Sequence, residues 1–405
     1  MKLSSRKILD RAAALLPELV ALRRHLHANP ELSYHEHATA LFITTQLTGM
    51  NIPIESGIAG TGIVGYIEGR KKGGGRTIAL RAEMDALPVH EENDVPYLSL
   101  NEGVMHACGH DAHMAMLLGT ATILSEMKGQ FGGKIVLLFQ PGEEKSPGGA
   151  KLMIESGILD RTPPDIVLAS HILPELETGC VGYRGGRYMA SADEIHITIS
   201  GRGGHAALQA EVTDQTYITS ELILTLRDTI TAEQKLRGVD TVFTFGKIEA
   251  HGATNVIPQS VTIAGTLRTF SEEWRSDAID LVRKISAAVA KKYGVVINAD
   301  IGSGYPVLVN SQELAAAAAG LSSQLLGADR VKEMKVRMSS DDFAFYTLKY
   351  PSLYYRVGIA APGAGHAALH TSRFDIDEQA MVTGVANMAW LTLNFSNPRY
   401  VIKQD

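Results

Sequence analysis

Lys134-Ile135-Val136-Leu137-Leu138-Phe139-Gln140-Pro141-Gly142-Glu143-Glu144 is an apolar run that halts at a proline and a glycine and ends in two carboxylates. A short continuous apolar run closed by turn residues reads as a strand buried on both faces. The same grammar recurs upstream and downstream. Thr77-Ile78-Ala79-Leu80 leads into Arg81-Ala82-Glu83-Met84-Asp85, and Ile166-Val167-Leu168-Ala169 leads into Ser170-His171. Further β-branched runs cover 62–68 and 353–357, and helical patterns at 112–127 and 149–155 separate several of them. The stretch 5–50 reads as two helices broken at Asn29-Pro30. Strands alternating with helices predict an α/β fold, a mixed and largely parallel sheet flanked by helices. Ligands of such a sheet sit outside the carboxyl ends of its strands, and three separate runs deliver carboxylate or imidazole to that edge.

The rhythm changes near Tyr188. Period-two alternation marks strands at 194–200, 241–249, 261–269 and 295–301, with helical patterns at 212–232 and 272–292. That order, βαββαβ, predicts a ferredoxin-like sandwich of about 110 residues. Helical patterns at 312–325 and 378–393 then return to the first style. The organisation expected is a catalytic domain of 1–187 and 303–405, with a lid domain of 188–302 inserted.

A chain of 405 residues, 45% hydrophobic and 20% charged, is globular and too long for one ordinary core, which agrees with two domains. A net charge of -6 supplies no basic field, so neither nucleic acid nor an anionic membrane is an expected partner. No apolar run approaches the roughly 18 residues that a membrane helix needs. The opening Met1-Lys2-Leu3-Ser4-Ser5-Arg6-Lys7 leads into a stretch broken by Asp10, Arg11 and Glu18, which lacks a signal-peptide pattern; a cytoplasmic location is the expectation. Two cysteines, Cys108 and Cys180, make no disulfide framework and read as thiols.

Met105-His106-Ala107-Cys108-Gly109-His110-Asp111-Ala112-His113 gathers a thiol, three imidazoles and a carboxylate. Singly, such residues are ordinary: a buried cysteine, a surface histidine, a solvated pair of glutamates. Together with Glu143, Glu144, His171 and His370 they form a set of soft and borderline metal donors. Adjacent glutamates in an extended segment point to opposite sides, so one can ligate while the other takes a proton. We assign Glu144 to the metal and Glu143 to general base. The number of donors favours two divalent ions that activate a water and polarise a carbonyl. Thiolate and imidazole point to zinc, carboxylates to manganese, with cobalt or nickel as alternatives. Two other classes compete: a hydrolase using Cys108 as nucleophile, and a catalytically inactive small-molecule-binding protein on the same scaffold.

Arg81-Ala-Glu-Met-Asp-Ala-Leu-Pro88, His106-Ala-Cys-Gly-His-Asp-Ala-His113, Phe139-Gln-Pro-Gly-Glu-Glu144, Gly203-Gly-His205, Asn255-Val-Ile-Pro258 and Gly265-Thr-Leu-Arg268 resemble motifs of the M20 metallopeptidase family. The opening Arg24-His-Leu-His-Ala-Asn-Pro-Glu31 and the closing Leu369-His370 with Phe374 extend the resemblance over nearly the whole chain. It is nearest the amidohydrolase branch of aminoacylases, hippurate hydrolases and auxin-conjugate hydrolases. The resemblance implies metal ligands at Cys108, His110, Glu144, His171 and His370, with Glu143 as base and Asp85 orienting a ligand. It implies N-acyl amino acids as substrates, with dipeptides or carboxypeptidase substrates as the alternative. It also implies a lid that serves as a homodimer surface in many members, and in some relatives a histidine placed like His205 that enters the partner's site. In the inserted segment, Arg268 and Asn255 are expected to hold the substrate carboxylate, and His205 to donate to the developing oxyanion. Two positions depart from the family pattern: Glu83 stands where Asp is usual, and Gly142 where Ala is usual. His106, His113 and His366 lie beside the cluster, His25 and His27 read as helix-face residues, and 339–343 reads as a helix cap, while the resemblance implies that a similar acidic segment lies near the active site.

Overall fold

The computed structural model describes residues 4–302, 304–361, 367–398 and 400, so His366 lies outside the described residues. The chain divides into two compact units: Met1–Tyr188 with Val309–Lys335 and Asp342–Asp405, and Met189–Leu308 with Val336–Asp341. The smaller unit therefore runs past 302 and takes in a short return segment. Tyr305 pairs with Ala192, and the carbonyls of Arg337 and Ser339 accept the Ala190 N–H.

The larger unit is built on one eight-stranded sheet. Its strands include Ile54–Ile58 (β1), Gly62–Glu68 (β2), Thr77–Glu83 (β3), Lys134–Gln140 (β4), Ile166–Glu177 (β5) and Val181–Tyr183 (β6), joined by Val331–Glu333 and Ser352–Ala360. Across the sheet the order is β1, β2, β4, β3, β5, Ser352–Ala360, β6, Val331–Glu333. The centre is parallel: β4 with β3, β3 with β5, and β5 with Ser352–Ala360; β1 with β2 and β2 with β4 are antiparallel. The expected mixed, largely parallel sheet is the one observed, and β3 and β4 are buried almost throughout.

Register explains why chemistry collects at one edge. Glu83 pairs with Gln140 of β4, and Arg81 is level with Ala169 of β5, which puts His171 level with Glu83. The sequence placed His171 just past its strand, but β5 continues to Glu177 because Ser352–Ala360 pairs along it, Arg356 opposite His171. Three neighbouring strands thus end their shared ladder in a row of polar side chains.

Helices Ser5–Ala14 (α1), Leu16–Ala28 (α2), His37–Gly49 (α3) and His110–Glu126 (α4) flank this sheet with the C-terminal helix Ala380–Phe395. The stretch expected to hold two helices holds three. Pro17 in the first turn of α2 has no N–H and cannot continue α1, so the chain resets at Leu15. A buried ionic chain ties α2 to α4. Arg23 Nε donates to Asp111 Oδ2 at 2.8 Å, and His27 Nδ1 lies 2.7 Å from the same oxygen while its Nε2 lies 3.0 Å from Glu91 Oε1. His27, expected on a helix face, thus lies on the buried face of α2.

The smaller unit has an antiparallel sheet in the order Thr241–Ala250, Ser260–Thr269, Asp193–Ser200, Val296–Ile301. Alternate residues Ile195, Ile197 and Ile199 face Ile218, Leu222, Leu226 and Ile230 of helix Gln215–Arg237 and Trp274, Ala278 and Val282 of helix Glu272–Tyr293. Asp214 accepts the Tyr217 N–H and so starts its helix three residues later than 212. Among the described residues no helix is long and apolar enough to cross a membrane.

His27 gives a test of the buried chain. Burial pulls its pKa down, but Asp111 and Glu91 outweigh burial and push it up to about 9. A raised folded-state pKa stabilises fully below about 6.5 and loses that contribution as pH rises through about 9. In denaturant titrations from pH 6 to 9.5, the stability advantage of wild type over His27→Gln is expected to narrow as pH rises. A difference that stays constant across that range would remove the charged His27.

Candidate metal centre

Gly109 precedes α4 in the left-handed region, φ 78°, and a side chain there would run into Ile172. That turn lets Cys108 and His110 flank the start of the helix beside β5. His110 Nδ1 lies 2.8 Å from the Asp85 carbonyl oxygen, and His171 Nδ1 lies 2.8 Å from the Ile172 carbonyl oxygen. Each Nδ1 is thereby committed as a donor, so that in the neutral ring, the form that ligates a metal, Nε2 carries the lone pair. His171 Nε2 is 3.4 Å from Cys108 Sγ, and His110 Nε2 is buried with no hydrogen-bond partner.

His370 closes the cluster. Its Nε2 is 3.3 Å from Cys108 Sγ and 3.2 Å from Glu144 Oε1, and its N–H donates to the Ala107 carbonyl. It holds a left-handed φ of 63°, a conformation that a side chain bearing Cβ adopts only where surroundings impose it. Three overlapping groups of donor atoms lie within 4.8 Å of one another: Cys108, His110 and His171; Cys108, Glu144 and His370; His110, Glu143 and Glu144. The structure thus brings together all five expected ligands and Glu143.

The alternation argument for the two glutamates does not hold. Glu143 and Glu144 lie in a bend after β4, not in an extended segment, and both carboxylates approach His110. What separates them is company: Glu144 alone also joins Cys108 and His370. Gly142 explains one departure from the family pattern. Its φ is +55°, and an added Cβ would come within 2.3 Å of the Tyr34 ring.

Asp85 is the hub behind the donors. Its Oδ2 accepts from Ser33 Oγ at 2.7 Å and from the Glu144 N–H at 2.9 Å, and its Oδ1 is 3.3 Å from His110 Nδ1. Glu83, bound by Arg81 and by His113 Nδ1 at 2.9 Å, forms a further donor group with His110 and His113, all within 4.8 Å of one another. His113 Nε2 accepts the Ile172 N–H, so both ring nitrogens are used and His113 is a brace between His110 and His171. His106 is buried with neither nitrogen hydrogen-bonded. Asp342 does not cap the helix that follows it, Ala344–Thr347; it accepts from Arg81 Nη2, from Gln140 Nε2 and from the Ala150 N–H in the first turn of helix Gly149–Glu155. Sequence reasoning gave no role to Tyr34 or Arg81 and left Asp342 open between a helix cap and a place near the site; the contacts of all three reach partners more than 100 residues away.

The electrostatics fit a cation. Burial, then Glu144 and Glu143, hold the Cys108 thiol well above its usual pKa. Burial pulls His110 down, yet Asp85 and Glu83 push it up to about 10, so this corner favours positive charge where Nε2 has no acceptor. Burial and His113 hold His171 neutral, the ligating form. A divalent ion among these atoms would supply the missing charge and take the thiol as thiolate.

The residues expected in the inserted segment lie in the smaller unit. His205 and Asn255 are exposed neighbours: Gly204–His205 pairs with Val256–Ile257, and the Ala206 N–H donates to the Asn255 carbonyl. Arg268 is half-buried and donates to the Met338 carbonyl at 3.1 Å, with Ser340 Oγ at 3.4 Å. Burial lowers its pKa and no carboxylate offsets that.

The model of peptidase family M20/M25/M40 matches residues 79–394. Thermostable carboxypeptidase 2 of Saccharolobus solfataricus is 36% identical over 387 residues, 94% of this chain and 95% of the relative. The N-acetyl-L-cysteine deacetylase of Bacillus subtilis is 36% identical over 372 residues, 91% of this chain and 86% of the relative. A Bacillus subtilis structure described as a dinuclear metal binding peptidase from the M20 family shares 29% identity at a TM-score of 0.79, covering 95% of this chain and 99% of that one.

Asp85→Ala is expected to weaken divalent-metal affinity by about 10–100-fold, the usual effect of losing a group that orients ligands. Competition against a chromophoric chelator reads this directly, and unchanged affinity would deny Asp85 its orienting role.

Proposed function

The chain belongs to peptidase family M20/M25/M40, and from that premise we propose that it is a two-metal amidohydrolase cleaving the amide bond of N-acyl amino acids. Membership makes it a metal-dependent hydrolase of the amidohydrolase branch. The observation that carries the finer reading is the convergence of Cys108, His110, Glu144, His171 and His370 beside Glu143. Thiolate and imidazoles favour zinc, while Glu144 keeps manganese, cobalt and nickel in play.

Ions held there supply a water of lowered pKa and polarisation of the amide carbonyl. Glu143 takes the proton of the attacking water and passes it to the departing nitrogen, so the acyl group leaves as a carboxylate and the amino acid as an amine. Cys108 as nucleophile is the weaker reading, because a thiol held protonated by burial and two carboxylates attacks poorly. An inactive binding protein would have no use for Glu143 placed as it is.

Arg268 supports a substrate with a free carboxylate: a half-buried guanidinium without an acidic partner offers two parallel donors. N-acetyl-L-cysteine carries such a carboxylate, as does the terminus a carboxypeptidase recognises, and both functions name relatives of this chain. Peptides ending in a free carboxylate are the second reading.

His205 and Asn255 pose a distance problem that a homodimer resolves. They adjoin the Ser200 and Ser260 ends of their sheet, while Arg268 lies eight residues along Ser260–Thr269, about 26 Å away at the ordinary strand rise. One small substrate does not span that. We infer that Arg268 serves one active site of a homodimer and that His205 and Asn255 serve the other, where His205 donates to the oxyanion.

Three measurements test these readings. Released amine is quantified across N-acyl amino acids and dipeptides, with chelation expected to abolish it. Glu143→Gln is expected to lose about 10²–10⁴-fold in turnover while retaining metal; near-normal turnover would remove Glu143 as base. Mixing separately inactive Glu143→Gln and His205→Ala chains is expected to restore activity, since one mixed site then has both groups. Silence after demonstrated subunit exchange would put His205 in its own subunit's site or outside catalysis.

A further inference from the structure

The segment 141–149 carries both Glu143 and Glu144, yet it is a loop with no strand or helix geometry up to Gly148. Its shape is imposed from outside by a short turn after α2. The Tyr34 hydroxyl donates to the Lys145 carbonyl at 2.7 Å and accepts the Gly148 N–H at 3.1 Å. Glu36, fully buried, accepts the Gly142 N–H at 2.8 Å and the Tyr34 N–H at 2.9 Å through one oxygen, and Thr61 Oγ1 at 2.7 Å through the other. The Tyr34 ring lies flush on Gly142, where a Cβ would stand 2.3–2.8 Å from its carbons.

Tyr34 accepts a left-handed φ of 67° to do this, an uncommon conformation for a bulky residue. Strain of that kind persists where surrounding contacts over-determine it, and here both hydroxyl bonds and the ring contact lead to one loop. Burial, opposed by the Gly148 contact, pushes the phenol up to about 12, so it keeps its proton for the Lys145 carbonyl.

We propose that Tyr34 is a positioning residue, clamping the 141–149 loop so that Glu143 and Glu144 keep their separate stations. This rests on the reading of Glu144 as ligand and Glu143 as base. Tyr34 touches neither carboxylate; it acts by fixing the backbone on both sides of them. The glycine at 142 is then the counterpart of a ring that cannot swing aside without breaking both hydroxyl bonds.

The test compares wild type, Tyr34→Phe, Gly142→Ala and the double variant by zinc affinity, kcat, KM and thermal midpoint. Tyr34→Phe keeps the ring and removes both hydroxyl bonds. It is expected to lower kcat by about tenfold or more, the scale of a small misplacement of catalytic groups. KM is expected to stay within about twofold and the thermal midpoint close to wild type, with zinc affinity reduced. Gly142→Ala is expected to harm zinc affinity and kcat less in the Tyr34→Phe background, because an unpinned ring can yield to the new methyl. A lowered midpoint with unchanged kcat and zinc affinity would make Tyr34 merely structural and overturn the proposal, as would strictly additive effects of the two substitutions. If wild type cleaved no amide in the panel, the functional reading would fall. The zinc affinities and their non-additivity would then decide the clamp alone: coupling would uphold it, and wild-type affinity in Tyr34→Phe would end it.

Discussion

Buried negative charge is the constraint on which the larger unit depends. Buried Glu83, Asp85 and Glu143 and half-buried Glu144 stand with Cys108 at the carboxyl edge of one sheet, and a low-dielectric corner does not tolerate such a group without compensation. Each local answer is visible. Arg81 and His113 hold Glu83; Ser33, the Glu144 N–H and His110 hold Asp85. What these leave is a set of donor atoms, among them the unpartnered Nε2 of His110 and the His171 Nε2 beside Cys108 Sγ, that a divalent cation would satisfy together. The strained His370 and the left-handed Gly109 are backbone consequences of aiming those atoms at one place.

The smaller unit has a different physical task. Its core is an alternating sheet face against two helices, complete in itself. What it offers to chemistry lies outside that core: an uncompensated guanidinium toward one end of a strand, and a histidine with an asparagine beyond the other. Strand rise alone keeps these apart.

Much of this was legible in the chain, and the reason is local. Strands β3 and β4 declare themselves as apolar runs, and the residues that follow each run fall where a parallel sheet presents its ligands. The βαββαβ order was legible because one buried face imposes period two. What was hidden depends on contacts between distant segments. Nothing near Tyr34 announces Gly142, and nothing near Asp342 announces Arg81. His27 has a helix-surface look in sequence; only the packing of α2 on α4 reveals Asp111 beside it. The reading of Glu143 and Glu144 as opposed failed for the converse reason, since a left-handed Gly142 bends the segment that alternation assumes extended.

The central claim is that these five side chains hold two divalent ions. Anomalous diffraction at the zinc and manganese absorption edges, from crystals of the metal-loaded protein, tests it most directly. The account predicts two peaks about 3.5–4 Å apart, with Cys108 Sγ, His110 and His171 Nε2, Glu144 and His370 as neighbours and Glu143 beside them. A single peak, or peaks whose neighbours exclude Cys108 and Glu144, would contradict it.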